Sequence, residues 1–528
     1  MAISSFGRRF IRTISCAAVI TLITAALCAS VSAAEDVAIN NVIFPDAAFR
    51  EFVKRYDTNG NNILSTAELA AVKKLYANDM EISSLKGIEY FTSITALSCS
   101  ANNLSSVDIS KNTQLETLNF DHNDLTSLDV SKNTKLTELE LYDNQLTSID
   151  ISNNTALNYL RCDHNKLSSL DVSKNKNLLM LCCSENQLKN LNVSNNVYLY
   201  YLDFADNQLR SIDVSKNTKL EQLWCNQNYL TSIDISCNPL LELMICNENL
   251  LNSINVSNNP KLTDLNCQKN RLTSLDVSKN TALKDLYCGD NKLYTIDLSK
   301  NTALAVLECS SAYLNSLNVS KNTSLTSLNC SSNNLTSLDV SKNTSLTSLR
   351  CLNNRLTSLD LSNNSKLTSL RCSKNRLLSL DLKNNSKLTE FQCTDNLYDA
   401  EFSSGKVNLS FFAGGGVDVS KISNLNGGTL SNTIITFNAG SDTVTYDYDC
   451  GNGKTGSFGI KNTSYMRGDL DGDKAITVAD IVMMKRVIAA GDPSKVSGCV
   501  VSAADVNRDE RYTVADILTL KKIIAGAL

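Results

Sequence analysis

Two stretches near the C-terminal end of this 528-residue chain place carboxylates at a spacing suited to a hard cation. The first, "DLDGDKAITVAD", offers Asp469, Asp471, Asp473, the carbonyl of Ala475, Thr477 and Asp480. The second, "DVNRDERYTVAD", offers Asp505, Asn507, Asp509, the carbonyl of Arg511, Thr513 and Asp516. These are positions 1, 3, 5, 7, 9 and 12 of a twelve-residue loop, a pattern that wraps calcium in oxygen ligands. A third run near the other end, "DTNGNNILSTAE", repeats the arithmetic with Asp57, Asn59, Asn61, Ile63 (through its carbonyl), Ser65 and Glu68. Asn62 stands where such loops favour Gly, and Asn tolerates the left-handed backbone better than most residues.

Sulfur is the second chemistry on offer. Cys99, Cys162, Cys183, Cys225, Cys246, Cys267, Cys288, Cys309, Cys330, Cys351, Cys372 and Cys393 share one column of a 21-residue period, interrupted by Phe120, Leu141 and Phe204. Exchange with Phe and Leu marks the column as buried and apolar, with Cys acting as a small hydrophobe. Thiols spread along a period do not cluster as zinc ligands do. Side chains projecting in parallel are poorly aimed for disulfides. Free thiols in such number imply a weakly oxidising, anaerobic setting.

Catalytic chemistry finds little support. The only histidines, His122 and His164, both fall in a repeated "DHN" turn. No zinc-protease, nucleophile-elbow or phosphate-loop motif occurs. A glycosidase needs two carboxyls at a set separation in a cleft. The periodic Asp108, Asp129 and Asp150 could imitate such a pair, but Asn replaces their column at 192, 255 and 318, which argues for structure. No catalytic residue and no organic cofactor is expected. The net charge of −4 argues against nucleic acid.

The elements that position these residues follow from the period. The unit L-x-C-x-x-N-x-L-x-x-L-D-V-S-x-N-x-x-L-x-x recurs fifteen times from Leu97 to Phe391 without insertion or deletion. Stacked coils of equal length require that. The leucines predict one continuous core. Two asparagine columns, Asn102 to Asn396 (broken only at Ala312) and Asn112 to Asn385, predict amides that satisfy backbone groups inside the turns. The pattern resembles the leucine-rich repeats of secreted bacterial proteins with a 21-residue unit. The resemblance implies a mainly β solenoid, a parallel strand per coil, bent into an arc of roughly 70 Å at about 4.8 Å per strand. Residues flanking the strand leucine should face outward. There the irregular Tyr142, Tyr159, Arg161, Asp163, Tyr201, Asp203, Trp224 and Tyr287 form a candidate ligand face, with Trp224 expected to be largely accessible.

Residues 1–33 read as a secretory signal peptide, with Arg8, Arg9 and Arg12 before an apolar run and "VSA" at its end. No later segment is apolar enough to span a membrane. A small helical EF-hand-like cap is expected over 36–74, the solenoid over 75–400, and a β module over 401–463 that covers its last coil. The module's signals are the alternation of Val444, Tyr446, Tyr448 and Cys450 and the hairpin turn "CGNG".

Residues 466–528 repeat a loop plus one helix, each loop closing on "VAD". This tandem resembles a type I dockerin. The resemblance implies an all-α, calcium-dependent module that docks to a cohesin on a cellulosome scaffold serving polysaccharide degradation. The cohesin-facing positions it implies are Val478, Ala479, Lys485 and Arg486, then Val514, Ala515, Lys521 and Lys522. Lys474 and Glu510 depart from the Gly usual at position 6. The expectation is a secreted, non-catalytic protein whose repeats bind a protein or glycan. The alternatives are a glycoside hydrolase or a regulator, such as a peptidase inhibitor, of the same assembly.

Overall fold

The computed structural model describes residues 36–400, 405–412, 417–438, 441–463, 468–471, 475–500, 503–507 and 511–525. The expected leader and Asp473, Lys474, Asp509 and Glu510 lie outside them. The chain divides into two compact units, residues 1–154 and 155–528.

The chain is a β-solenoid whose coils each open on a three-residue strand centred on leucine, as in Tyr159–Arg161, Gln222–Trp224 and Ser327–Asn329, with Met244 and Phe391 taking the leucine's place in two coils. Neighbouring strands pair in parallel one period apart, so Leu307 lies opposite Leu328 and Leu328 opposite Leu349. The first unit stacks strands from Lys74–Tyr76 to Glu138–Glu140, the second from Tyr159–Arg161 to Glu390–Gln392. The strand Lys74–Tyr76 precedes the first legible copy. Leu75 pairs with Leu97, and the 3-10 turn Ile88–Tyr90 gives that coil one residue more than the period.

Leu328, Cys330, Leu335 and Leu346 of one coil are fully buried. Burying one leucine completely contributes about 1.5–3 kcal/mol. All twelve column cysteines are buried, and none forms a disulfide. Burial pushes the thiols of Cys267 and Cys330 up to about 12, so neither ionises at neutral pH.

The two asparagine columns do different work. In the first, both halves of the amide are used. Asn333 Nδ2 donates to the carbonyls of Cys309 and Cys330, both at 2.9 Å. Its Oδ1 accepts from the N–H of Leu314 at 2.8 Å. In the second, Asn343 Nδ2 donates to the carbonyls of Val319 (3.0 Å) and Asn322 (2.8 Å). The buried Oδ1 has no hydrogen-bond partner at Asn343 or at most of its column mates. The expectation that each amide serves as both donor and acceptor therefore fails in this column.

The residue before each first-column Asn has a left-handed backbone, from Ala101 (φ 54) to Asp395 (φ 56). None of these residues is β-branched, as that conformation demands. His122 and His164 are two of them. The periodic acids are structural too: the N–H of Ser110 donates to Asp108 Oδ1 at 2.9 Å. The N–H of Ser194 donates to Asn192 Oδ1 at 3.0 Å, which explains why Asp and Asn exchange there.

At the start, helices α1 (Ala47–Val53) and α2 (Thr66–Ala71) carry Phe49, Phe52 and Leu69 inward. Asp46 caps α1 and also accepts from the N–H of Ser83 at 2.8 Å, tying the helix to the first coil. At the other end, strands Thr443–Gly451 and Lys454–Asn462 form the expected hairpin through Asn452 and Gly453, both left-handed. Val444, Tyr446, Tyr448 and Cys450 are all buried. A further coil would bring an Asn Nδ2 to the carbonyl of Leu382 and another to that of Cys393. Asn452 Nδ2 reaches Leu382 O at 2.5 Å, and the N–H of Ser457 reaches Cys393 O at 2.8 Å. Tyr446 Oη donates to Leu378 O at 2.8 Å. The module thus supplies the donors that the next coil would have supplied.

Candidate functional site

Helices α3 (Val478–Ala490) and α4 (Val514–Ile524) are built alike. Each starts in a capping box, Thr477 with Asp480 and Thr513 with Asp516. They share a core that includes Leu470, Met484, Val487, Ile517 and Leu520. The same aspartates close the preceding loops. Asp480 Oδ1 accepts from the N–H of Leu470 and Oδ2 from that of Thr477, both at 2.6 Å. Asp516 accepts from Val506 and Thr513, both at 2.9 Å. The loop at 57–68 follows the same plan, with Glu68 accepting from Thr58 (2.7 Å) and Ser65 (2.9 Å). In all three loops the carboxylate at position 12 thus holds the amides of positions 2 and 9.

The loops differ in acid content. Carboxylate oxygens of Asp469, Asp471 and Asp480 lie within 4.8 Å of one another, and Asp469 and Asp480 are buried. Three anionic oxygens in so small a space suit a hard divalent cation. The second loop brings Asp505, Asn507 and Asp516 to one twelve-residue turn, with Ala475 and Arg511 at the carbonyl positions of their loops. At 57–68 only Asp57 and Glu68 are acidic. There Asp57 accepts from the amides of Gly60, Asn61 and Asn62, while Asn59 and Asn61 accept from amides two residues on. Asn62 does adopt the left-handed backbone (φ 60). Hydrogen bonds from Thr58 and then Ser65 pull the Glu68 carboxyl down to about 2. Ile63 and Ser65 occupy positions 7 and 9 of that loop.

Val478, Ala479, Lys485 and Arg486 on α3 and Val514, Ala515, Lys521 and Lys522 on α4 are all exposed. Val478 and Val514 are 65% and 62% exposed, high for valine. Sequence reasoning missed Val482 and Leu518, one helical turn on, which are also exposed and prolong each apolar strip. The signal was an apolar residue at i+4 from each Val, off the buried face.

On the solenoid strands, the register brings five of the eight proposed face residues together, and a contact from Arg161 adds Asp163. Arg161, Cys182, Asp203 and Trp224 form one cross-strand row, and Tyr159, Met180, Tyr201 and Gln222 form the next. Arg161 Nε contacts Asp163 Oδ1 at 3.2 Å. Tyr287 lies three strands beyond Trp224, past Ile245 and Asn266. Tyr142 belongs to the first unit, where it meets His122 edge-on at 4.8 Å.

Two expectations are corrected here. Trp224 is on the strand face, but it is only partly exposed, and its Nε1 is buried without an acceptor. Asp163, assigned to the outer face, is buried. Bulky residues on parallel strands about 4.8 Å apart cover one another. Burial pushes the Asp203 carboxyl up to about 6 despite hydrogen bonds from the Ala205 amide and Ser184, with Asp163 and Glu185 adding to the rise. Burial and the Asp203 charge also raise the Tyr201 phenol. Sequence reasoning passed over Cys182, whose "CC" neighbour alone belongs to the buried column. Its thiol lies in the outer row, covered and pushed up to about 12 by burial and by Asp163.

Coils of fixed length with a strand leucine, an asparagine ladder and a cysteine column define a leucine-rich-repeat solenoid. The chain belongs to that family. It is 31% identical to the functional domain of InlJ from Listeria monocytogenes, described as including a cysteine ladder, with a TM-score of 0.73 over 82% of this chain and 100% of that one. An internalin, inlF, from Listeria monocytogenes aligns at 24% identity and a TM-score of 0.52, covering 68% of this chain and 98% of that one, which shows the fold. Residues 467–525 match the dockerin type I domain. Comparison with curated proteins gives no match. Among the described residues, no helix is long and apolar enough to cross a membrane.

Proposed function

We propose that this is a secreted, non-catalytic binding protein that joins a cohesin-bearing scaffold through its C-terminal module and presents its repeats to a ligand. The observation that carries the reading is the pair of matching exposed sets on α3 and α4, each following a loop closed by its position-12 aspartate, with converging acids in the first. The proposed organisation is a leader over 1–33, a cap over 36–74, the solenoid over 75–400, a β cap over 401–463 and the dockerin over 466–528. Calcium is the proposed cofactor of both dockerin loops, held by Asp469, Asp471, Asp480 and their counterparts Asp505, Asn507 and Asp516. Asp473 and Asp509 complete the sets by sequence position. The loop at 57–68 shares the same closure and is a weaker calcium candidate, because its two acids are already engaged by the loop's own amides.

The near repetition of Val-Ala and basic pairs supports docking in either of two orientations. Titration calorimetry of the full chain against a panel of cohesins, with calcium, tests this. Replacing Val478, Ala479, Lys485 and Arg486 should leave most of the affinity, and replacing both sets should abolish it. Complete loss from the first set would refute dual docking. No binding to any cohesin would refute attachment itself.

For the repeats, the ligand face is proposed around Tyr159, Arg161, Tyr201, Asp203 and Trp224. Capture from culture supernatant by the full chain, lost in Trp224→Ala without a change in circular dichroism, is the expected result. Equal capture by that variant would remove Trp224 from the face.

A further inference from the structure

The one break in the first asparagine column reshapes the surface around it. Where a regular coil has Asn, this one has Ala312. The N–H of Leu293, which would otherwise meet an Asn Oδ1, turns to the carbonyl of Ala312 at 3.1 Å, and so does the N–H of Tyr294. The regular bond from the residue after the ladder Asn to the preceding coil, seen from Lys292 to Leu272 and from Asn334 to Leu314, is replaced by one from Asn315 to Tyr294 O at 3.2 Å. Tyr294 and Tyr313 are both forced into the left-handed backbone (φ 59 each), outside the one left-handed position per coil. For a bulky residue that is a strained conformation, and such strain concentrates at functional sites. The fold tolerates the break because each carbonyl that lost its Asn donor keeps another. Cys288 O retains Asn291 Nδ2, Cys309 O retains Asn333 Nδ2, and Ser310 O retains the Asp290 amide.

The strain holds two large side chains out in solvent. Tyr294 and Tyr313 are 50% and 51% exposed, with ring centroids 5.9 Å apart. Beside them opens a cavity of about 600 Å³ walled by Asp290, Lys292, Tyr313, Asn334, Asn353 and Arg355 among others. That volume falls within the range of about 300–1,000 Å³ usual for small-ligand sites. The wall is unlike an anchor pocket for an apolar side chain. It offers amides that both donate and accept, one carboxylate acceptor and two cationic donors. A sugar ring matches that set, since each hydroxyl both donates and accepts while the C–H face of the ring lies flat on an aromatic face. A peptide would want an apolar hole or a row of free strand amides, and this turn surface has neither.

We propose that the ladder break at Ala312 creates a binding site for a neutral oligosaccharide, with Tyr294 and Tyr313 as its stacking platform and Asp290, Lys292 and Arg355 among its hydroxyl partners. The site is separate from the strand face around Trp224. Titration calorimetry of the full chain with cellohexaose, xylohexaose and mannohexaose tests it. At least one of the three should bind. The double variant Tyr294→Gly, Tyr313→Gly removes the rings while glycine accepts the left-handed backbone without strain, and it should lose at least tenfold in affinity with its melting temperature kept. Ala312→Asn restores the ladder, and it should raise the melting temperature and lose the same binding. Tyr198→Ala, which removes an exposed tyrosine of another coil, should leave the affinity unchanged. The proposal is overturned if none of the three sugars binds, if either ladder-break variant binds like the parent, or if the loss follows Tyr198→Ala as well.

Discussion

The solenoid and the paired helices at its C-terminal side are held by opposite means. A coil such as 328–348 closes on fully buried leucines, a thiol and two amide ladders, and its neighbours complete it on both sides. The helix pair buries a much smaller set around Leu470, Met484 and Leu520, and three acids of its first loop converge. One region carries its own stabilisation, and the other has a small core beside acids whose repulsion a divalent cation would relieve. The difference teaches that a module with a small core can be made sensitive to an ion without the same sensitivity in a solenoid held by its own core.

Chelation is the sharpest way to break this comparison. Removing divalent cations should unfold 466–528 and abolish cohesin binding, while the solenoid melts at its usual temperature. Far-ultraviolet circular dichroism resolves the two, because the helical signal falls alone. A single melting transition that shifts as a whole on chelation would show that the two regions are not independent. Asp480→Ala should act like chelation, since it removes both a proposed calcium ligand and the closure of the first loop onto Leu470 and Thr477.

Within the solenoid, Asn333→Ala should cost more than Asn343→Ala. The first strands the carbonyl of Cys309 and the N–H groups of Ala312 and Leu314, while Cys330 O keeps Asn354 Nδ2. The second strands no carbonyl, because Val319 O keeps the Asn322 amide and Asn322 O the Leu325 amide, and it removes an acceptor that had no partner. At about 1–3 kcal/mol per stranded buried group, the first effect is large and the second small, and urea unfolding ranks them. An equal cost would contradict the different roles of the two ladders. Cys330→Ser should cost less than Asn333→Ala, about 1–3 kcal/mol, by burying a hydroxyl in an apolar column. Alkylation should label Cys330 and its column mates only after denaturation, since all are buried and burial pushes the Cys330 thiol up to about 12.

The smallest effect concerns pH. Asp203 holds its proton up to about 6 in the folded chain, against 3.8 for a free aspartate, mainly because it is buried. Between those values the folded state binds more protons than the unfolded one, so stability falls as pH rises through that window, by at most about 3 kcal/mol. Asp203→Asn should flatten the dependence from pH 4 to 6 and stabilise the solenoid at pH 7. Thermal melts across that range would contradict this if parent and variant kept parallel profiles.

How much of this was legible in the residues depends on what each signal encodes. The leucine, cysteine and asparagine columns set which way a side chain points, and the strands follow that register from Leu97 to Phe391. They do not set how deep it sits. Trp224 and Asp163 project as expected yet are covered, because depth depends on the size of neighbours one and two coils away. The strand at Leu75 escaped notice because its coil breaks the period by one residue. Among loop residues, the spacing of acids picked out the first C-terminal loop, where Asp469, Asp471 and Asp480 converge, and Val478 and Val514 are exposed. Backbone strain was not legible at all. Ala312 was visible as a gap, but that the gap would twist Tyr294 and Tyr313 into left-handed conformations follows only from where the freed amides turn.

The donors that Asn452 and Ser457 lend to Leu382 and Cys393 have a consequence for how such a chain can change over generations. Every junction between coils offers the same acceptors to whatever follows, and the end cap answers that offer as a coil would. A copying error that inserts or removes one whole 63-base segment therefore leaves the junction with the cap chemically as it was. Solenoid length becomes a trait that replication slippage can alter in single steps, with the cap, the attachment module and the core each left intact.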